Sequence, residues 1–243
     1  NDGSPFRGLV QGLALPEGDN ASAPRDPVDP VDKRAARRVL SQVSMPATAK
    51  PSAVPRRARP PVDDAPHIAV MDTTLRDGEQ TPNVSYTPAE KLQLARMLLV
   101  ELEVDRIEIA STRVSEGELE SARAITKWAR RDRLIQRVEM LGYSDGRKSV
   151  DWICEAGGKV LNLLTKGSER HCTQQLGMSP EEHRERIAET IRYARRRHLV
   201  VNVYLEDWSS GVRDAFDYVF SMVQLLRELR VARIYLADTL GQF

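Results

Sequence analysis

The chain has 243 residues, with 36 Lys+Arg against 35 Asp+Glu and a formal charge of +1. Hydrophobic residues make up 41% and charged residues 29%, a globular composition, and the balanced charge leaves no basic footprint for nucleic acid. No apolar run approaches the ~18 residues of a membrane span, and the two cysteines, Cys154 and Cys172, exclude a disulfide framework or a Cys-built zinc site.

Residues 1–66 hold 11 of the 14 prolines and show no sustained apolar period. Such a composition cannot bury enough surface to offset its ordering entropy. The segment is expected to be a disordered Pro-rich leader, with a transient helix over Asp32–Val43 at most. Arginines within it, including Arg37, Arg38, Arg56, Arg57 and Arg59, suit an organellar address, but its eight acidic residues do not. A cytoplasmic location is the expectation. The chain begins with Asn rather than Met, which reads as a fragment or a processed product.

From His67 onward, short β-branched runs alternate with longer helical patterns. The predicted strands are His67–Asp72, Asp105–Ala110, Arg137–Gly142, Lys159–Leu164, Val200–Glu206 and Arg233–Asp238. Helices are predicted near 88–103, 116–131, 147–156, 180–197 and 213–230. Thr87, Ser115 and Ser179 each stand at an N-cap with Glu three residues on, and Pro88 and Pro180 open two of the helices. In the first helix Leu92, Leu94, Ala95, Leu98 and Leu99 mark the apolar side, and Lys91, Gln93 and Arg96 the polar one.

Six β-then-α steps imply parallel strands joined by right-handed crossovers, either an open doubly wound sheet or an eightfold barrel. The first turn has one glycine, not a phosphate cradle. Polar residues fall at the carboxyl end of nearly every strand: Asp72, Arg76, Asp77, Glu108, Lys166, His171, Glu206, Asp207, Asp238 and Thr239. Polar groups at one end of every strand converge on a single mouth, as barrel active sites do. The expected fold is a TIM (β/α)8-type barrel over 67–243 with about six of its eight β/α units present. Two strands and their loops read as missing after Asp238-Thr239-Leu240-Gly241.

The most informative stretch is Asp72-Thr73-Thr74-Leu75-Arg76-Asp77-Gly78-Glu79-Gln80, directly after the first strand. It resembles the signature of the 2-isopropylmalate, homocitrate and citramalate synthases. These belong to a wider group of barrel metal-dependent lyases and synthases that includes hydroxymethylglutaryl-CoA lyase. Glu79, where the lyases tend to have Leu, leans toward condensation. Val104–Ile109, Asn202–Asp207 and Ala237–Gly241 are similar to the family's second, fifth and sixth strand ends. Ala110–Glu118 and Glu155–Val160 resemble a bacterial branch of 2-isopropylmalate synthases.

The resemblance implies condensation of acetyl-CoA with a 2-oxo acid, 2-oxoisovalerate favoured, on the leucine branch of amino-acid biosynthesis. Such chemistry needs a Lewis acid on the keto oxygen, a base for the acetyl methyl, and groups that stabilise enolate and alkoxide charge. By the family pattern Asp77 ligates the divalent metal (zinc, manganese or magnesium), and Arg76 points a guanidinium at the keto acid and enolate. Gln80 hydrogen-bonds within that shell. Glu108, Glu206 and Thr239 line the 2-oxo-acid pocket, Thr239 reaching its carboxylate and Glu206 taking part in catalysis. His171 contacts substrate or transfers a proton. A homodimer is the implied assembly.

Each role has an ordinary structural alternative. His171 could be a loop histidine, Glu108 could pair with a basic neighbour inside the barrel, and Glu206-Asp207 could cap the next helix, Asp207 doing no more than that. His67, His183 and His198 read as structural or solvated. Cys172 beside His171 suggests a thiol nucleophile, but adjacent residues on an extended segment point apart. Two departures from the family pattern stand out. The His-x-His pair that completes the family's metal site does not occur among the four histidines. One carboxylate does not hold a catalytic metal against water, so the chain alone is expected to be inactive. Ala110-Ser111-Thr112-Arg113 stands where many isopropylmalate synthases carry Gly-Phe-Pro, and Arg113 is a possible cation for 2-oxoglutarate. Citramalate or homocitrate synthase, and a non-catalytic subunit that keeps the barrel, are the alternatives.

Overall fold

The computed structural model describes residues 68–241. The expected disordered leader, its transient helix and His67 lie outside the described residues. Six strands appear where the sequence places them: β1 (Met71–Asp72), β2 (Arg106–Ser111), β3 (Val138–Tyr143), β4 (Val160–Lys166), β5 (Val200–Glu206) and β6 (Arg233–Leu236). All neighbours pair in parallel in the order β1 to β6. Regular pairing of β1 is shorter than predicted, although the Val70 carbonyl still accepts the Arg106 amide at 3.2 Å.

The sheet is curled. Asn162 Nδ2 on β4 comes within 4.0 Å of Met71 Sδ on β1, three strands away, and the Tyr235 hydroxyl on β6 within 3.5 Å of Glu139 on β3. Strands that far apart in a flat sheet are separated by roughly 14 Å, beyond the reach of an Asn–Met pair. The expected six β/α units of a TIM-type barrel are therefore the architecture of this segment.

Helices α1 (Pro88–Arg96), α2 (Glu116–Arg131), α3 (Lys148–Glu155), α4 (Glu169–Gln174), α5 (Pro180–Arg196), α6 (Trp208–Asp214) and α7 (Phe216–Glu228) surround the strands. Alternation along the strands explains the layering. Ile107, Ile109, Leu161, Leu163, Val203 and Leu205 are fully buried against Ile125, Ile153, Ile187, Ile191 and Met222 of the helices. Each such side chain contributes about 1.5–3 kcal/mol. Polar residues take the alternate positions and face the inside of the curl.

Three elements depart from the sequence-based expectation. The predicted helix at 213–230 is two, because Ala215 (φ −151°, ψ 64°) interrupts it between α6 and α7. Helix α1 ends in a π-turn at Met97–Glu101, and the six-residue α4 had no periodic signal to announce it. Thr87 and Ser179 form complete capping boxes with Glu90 and Glu182, but Ser115 does not. Its hydroxyl accepts the Glu118 amide, whereas the Glu118 carboxylate turns to Lys91, 2.6 Å away. Lys91, expected on the polar side, is 1% exposed and also binds Glu79 at 2.5 Å. A buried ammonium requires such pairing. Burial pushes the Glu118 carboxyl up, against the pull of Lys91.

His183 is structural, as expected, and fully buried. Tyr218 donates to the Lys166 carbonyl at 3.1 Å, so His183 Nδ1–H donates to the Tyr218 hydroxyl at 2.9 Å. Burial, with Lys166 and Arg186 adding positive charge, lowers the His183 pKa to about 4. The unfolded chain binds this proton near pH 6.5, so stability is complete above that pH and is lost as pH falls toward 4. Urea unfolding should show about 2 kcal/mol lost between pH 7 and pH 5 from this group. A slope unchanged in His183→Gln would refute the assignment.

Candidate active site

Three side-chain groups line the inner face of the sheet and the carboxyl ends of its strands. The first is built on β1 and β2. Asp72 accepts the Thr74 amide at 2.9 Å and its hydroxyl at 3.1 Å, closing the turn that follows β1. That turn aims Arg76 back over the sheet, where Nε meets the fully buried Glu108 at 2.5 Å. Arg76 Nη1 also binds Asp77 at 2.5 Å. The other Glu108 oxygen accepts from Asn162 at 2.6 Å, and Asn202 donates to Asn162 at 2.8 Å and to Glu139 at 3.3 Å. Arg106 Nε lies 3.1 Å from Glu139. Burial opposes the Arg76 charge, but Glu108 and Asp77 outweigh it and raise its pKa. Glu108 thus makes the internal pair that the sequence allowed, and it aims Arg76 from beneath.

The second group is the Lys166–Glu206 pair at 2.5 Å, across adjacent ends of β4 and β5. Glu206 does not cap α6. Tyr204, two residues earlier in the same strand, links this pair to the first group. Its hydroxyl titrates above its ordinary range because of burial and then of Glu108, with Arg76 opposing. Its ring stacks on Tyr235 at 4.6 Å.

The third group gathers Ser168, His171, Asp207 and Thr239. Ser168 Oγ donates to Asp207 Oδ2 at 2.8 Å, His171 Nδ1 lies 3.5 Å from that oxygen, and the Asp207 amide donates to Thr239 Oγ1 at 2.8 Å. Thr239 keeps its own proton to donate. The expectation that Asp207 only caps a helix is wrong: it occupies the cap position of α6 but makes no side-chain cap bond. The argument against a Cys172 nucleophile also needs correcting. His171 and Cys172 lie on α4, not on an extended segment. What disqualifies Cys172 is its complete burial, which raises its pKa and turns Sγ toward the Met178 carbonyl at 3.5 Å.

Gln80 is exposed on the one-turn helix Gly78–Gln80. Arg113, the possible extra cation, is already paired with Asp145 at 3.0 Å. Glu79, which leans toward condensation in the sequence, is occupied by Lys91 and by the Tyr86 amide at 3.0 Å. The single carboxylate offered to a metal, Asp77, is 59% exposed and engaged by Arg76. Among the described residues no three His, Cys, Asp or Glu side chains stand together as a metal site. This donor set does not fit the divalent ion that the motif resemblance implies. Asn162, Asn202, Glu139, Tyr204 and Lys166 received no role from sequence. The signal for Asn202 and Tyr204 was the period-two polar pattern Asn202-x-Tyr204-x-Glu206, which runs opposite to the outward apolar face of β5; on β4 the pattern is broken by Leu164 between Asn162 and Lys166.

The comparisons with known proteins give the family. A family model described as HMGL-like matches residues 67–243. The chain belongs to the HMGL-like family. Among curated relatives of this HMGL-like chain, a homocitrate synthase from Methanopyrus kandleri is 38% identical over 187 residues, covering 76% of the chain and 45% of that protein. A 2-isopropylmalate synthase from Saccharolobus solfataricus is 33% identical, over 72% of the chain and 43% of the relative. An (R)-citramalate synthase from Methanocaldococcus jannaschii is 31% identical, over 72% and 34%. The HMGL-like chain spans less than half the length of these relatives. The hydroxymethylglutaryl-CoA lyase of Pseudomonas aeruginosa shares the fold, with a TM-score of 0.58 at 20% identity, covering 72% of this chain and 59% of that one. Among the described residues no helix is long and apolar enough to cross a membrane.

Proposed function

We propose that the chain forms the 2-oxo-acid side of a condensing active site of the 2-isopropylmalate synthase type. In that reaction the methyl carbon of acetyl-CoA adds to the keto carbon of 2-oxoisovalerate, and thioester hydrolysis releases CoA and the 2-hydroxy dicarboxylate. The observation that carries the reading is the gathering of a buried-carboxylate-anchored arginine, the Lys166–Glu206 pair and the Thr239 hydroxyl on one rim of a parallel curled sheet. Arg76 supplies a fixed cation where charge develops on the keto oxygen, a geometry Lys does not reproduce. Thr239 donates to the substrate carboxylate, and His171 moves a proton. Gln80, on the exposed side of the first loop, completes the polar surround. Asp77 alone does not supply the ligands of a metal ion.

A branched apolar substrate suits the cations available. Arg113 and Lys166 are each held by a carboxylate, at 3.0 and 2.5 Å, so neither is free for the second carboxylate of 2-oxoglutarate. The test is titration calorimetry of the chain with 2-oxoisovalerate, pyruvate and 2-oxoglutarate, alongside acetyl-CoA-dependent thiol release. Tightest binding of 2-oxoisovalerate, abolished in Thr239→Val, is expected. Binding of 2-oxoglutarate in preference would establish the homocitrate reading, and preference for pyruvate the citramalate one. Keto-acid binding without thiol release would identify a binding subunit, the reading favoured by the engagement of Asp77 with Arg76.

A further inference from the structure

His171 faces a carboxylate. Asp207 is fully buried and its Oδ2 lies 3.5 Å from His171 Nδ1. That nitrogen is sealed from water and makes no hydrogen bond. Leaving a buried polar atom unpaired costs about 1–3 kcal/mol, more than the small ring rotation that would close the gap.

The backbone is shaped to bring this carboxylate there. Asp207 is left-handed, with φ 59° and ψ 34°, a conformation that is strained for a residue other than glycine. It makes no side-chain cap bond to the helix it precedes. Thr239 holds its amide and Ser168 holds Oδ2, each at 2.8 Å. Ser210 stands close enough to favour the charge, although Oδ1 completes no hydrogen bond. Burial opposes ionisation, but Ser210, Ser168 and the His171 ring outweigh it and hold the Asp207 carboxyl below its usual range.

We propose that Asp207 is the positioning residue of His171: its carboxylate accepts the Nδ1 proton, fixes the neutral ring as the Nδ1–H tautomer, and leaves Nε2 as the atom that exchanges a proton with substrate. The partner of one ring nitrogen decides which nitrogen carries the proton, and the aspartate of a Ser-His-Asp triad acts in this way. The inference rests on the condensing reading above, in which His171 moves a proton.

The test reads the tautomer directly, by 15N-edited NMR of the imidazoles in the full chain, with His171 assigned by loss of its signals in His171→Gln. The unmodified chain should show protonated Nδ1 and bare Nε2 at His171. In Asp207→Asn, whose amide can donate to the ring, the pattern should invert. Ser168→Ala, which releases Oδ2 without touching the ring, should keep Nδ1–H and serves as the gentler variant if Asp207→Asn does not fold. Nε2–H in the unmodified chain or in Ser168→Ala, or Nδ1–H persisting in Asp207→Asn, overturns the proposal. Where the unmodified chain releases thiol with acetyl-CoA and the keto acid, an equal rate in His171→Gln with the tautomer still following Asp207 leaves the positioning standing and overturns the catalytic role of His171.

Discussion

Glu108→Ala should destabilise the chain by about 3–5 kcal/mol in urea unfolding, because it strips a buried cation of its principal partner. Arg76 is 15% exposed and Glu108 fully buried, joined at 2.5 Å. Asp77, 59% exposed, remains as the one carboxylate paired with the guanidinium among the described residues and is diluted by solvent. The reverse change, Arg76→Met, leaves the buried Glu108 carboxyl without its cation and, among the described residues, with Asn162 as its remaining hydrogen-bond donor, and should be similarly costly. The double variant Arg76→Met with Glu108→Met should recover most of the loss, since a well-packed apolar pair replaces a buried ion pair at little net expense. A double variant as unstable as the sum of the two singles would show that the pair does not act as a unit. Glu108→Gln separates stability from chemistry: it keeps the acceptor for Asn162 but loses the charge that aims Arg76.

The second large effect is expected from Gly211→Ala. A Cβ at Gly211 would sit 2.1 Å from the Gly167 carbonyl oxygen and 2.9 Å from a Val219 methyl. Helix α6 therefore lies directly on the backbone at the end of β4, and the carbonyl it touches belongs to the strand end that leads into Ser168 and His171. The carbonyl contact does not yield without moving backbone, so the substitution should cost at least about 4 kcal/mol, or prevent folding. The comparison is Gly117→Ala near the start of α2, where the added carbon meets only the Ser115 hydroxyl at 3.8 Å. There alanine should stabilise by about 0.4–1 kcal/mol. Thermal unfolding that ranks the two the other way would overturn the packing argument.

The fold was legible because its elements are locally consistent. The boundaries of α2 at Glu116–Arg131 coincide with the Ser115 cap and the end of the apolar stripe, and β5 at Val200–Glu206 with its β-branched run. Elements without a local signal escaped: the short α4, the break at Ala215, and the π-turn that lets α1 run on beyond Arg96. The site was legible as a set of strand ends but not as a set of partners. Nothing local says that Glu108 lies under Arg76 rather than beside substrate, or that Lys91 leaves the polar face. Both outcomes are decided by contacts between residues 12 to 32 positions apart in the chain. Asp207 was misjudged for a related reason: a carboxylate ahead of a helix resembles a cap, and only its left-handed backbone turns it away.

The clamp at Lys91 has a mechanical consequence. Only two residues of β1 pair regularly with the sheet, yet the loop that follows is fastened through Glu79 to an ammonium on α1, and through it to Glu118 on α2. The segment bearing Arg76 is therefore tied both to the sheet, through Glu108, and to two outer helices, through Glu79. Any ligand that draws this loop inward must shift two helices with it, so the rim on that side behaves as a stiff jaw, and adaptation to different guests falls to the opposite side.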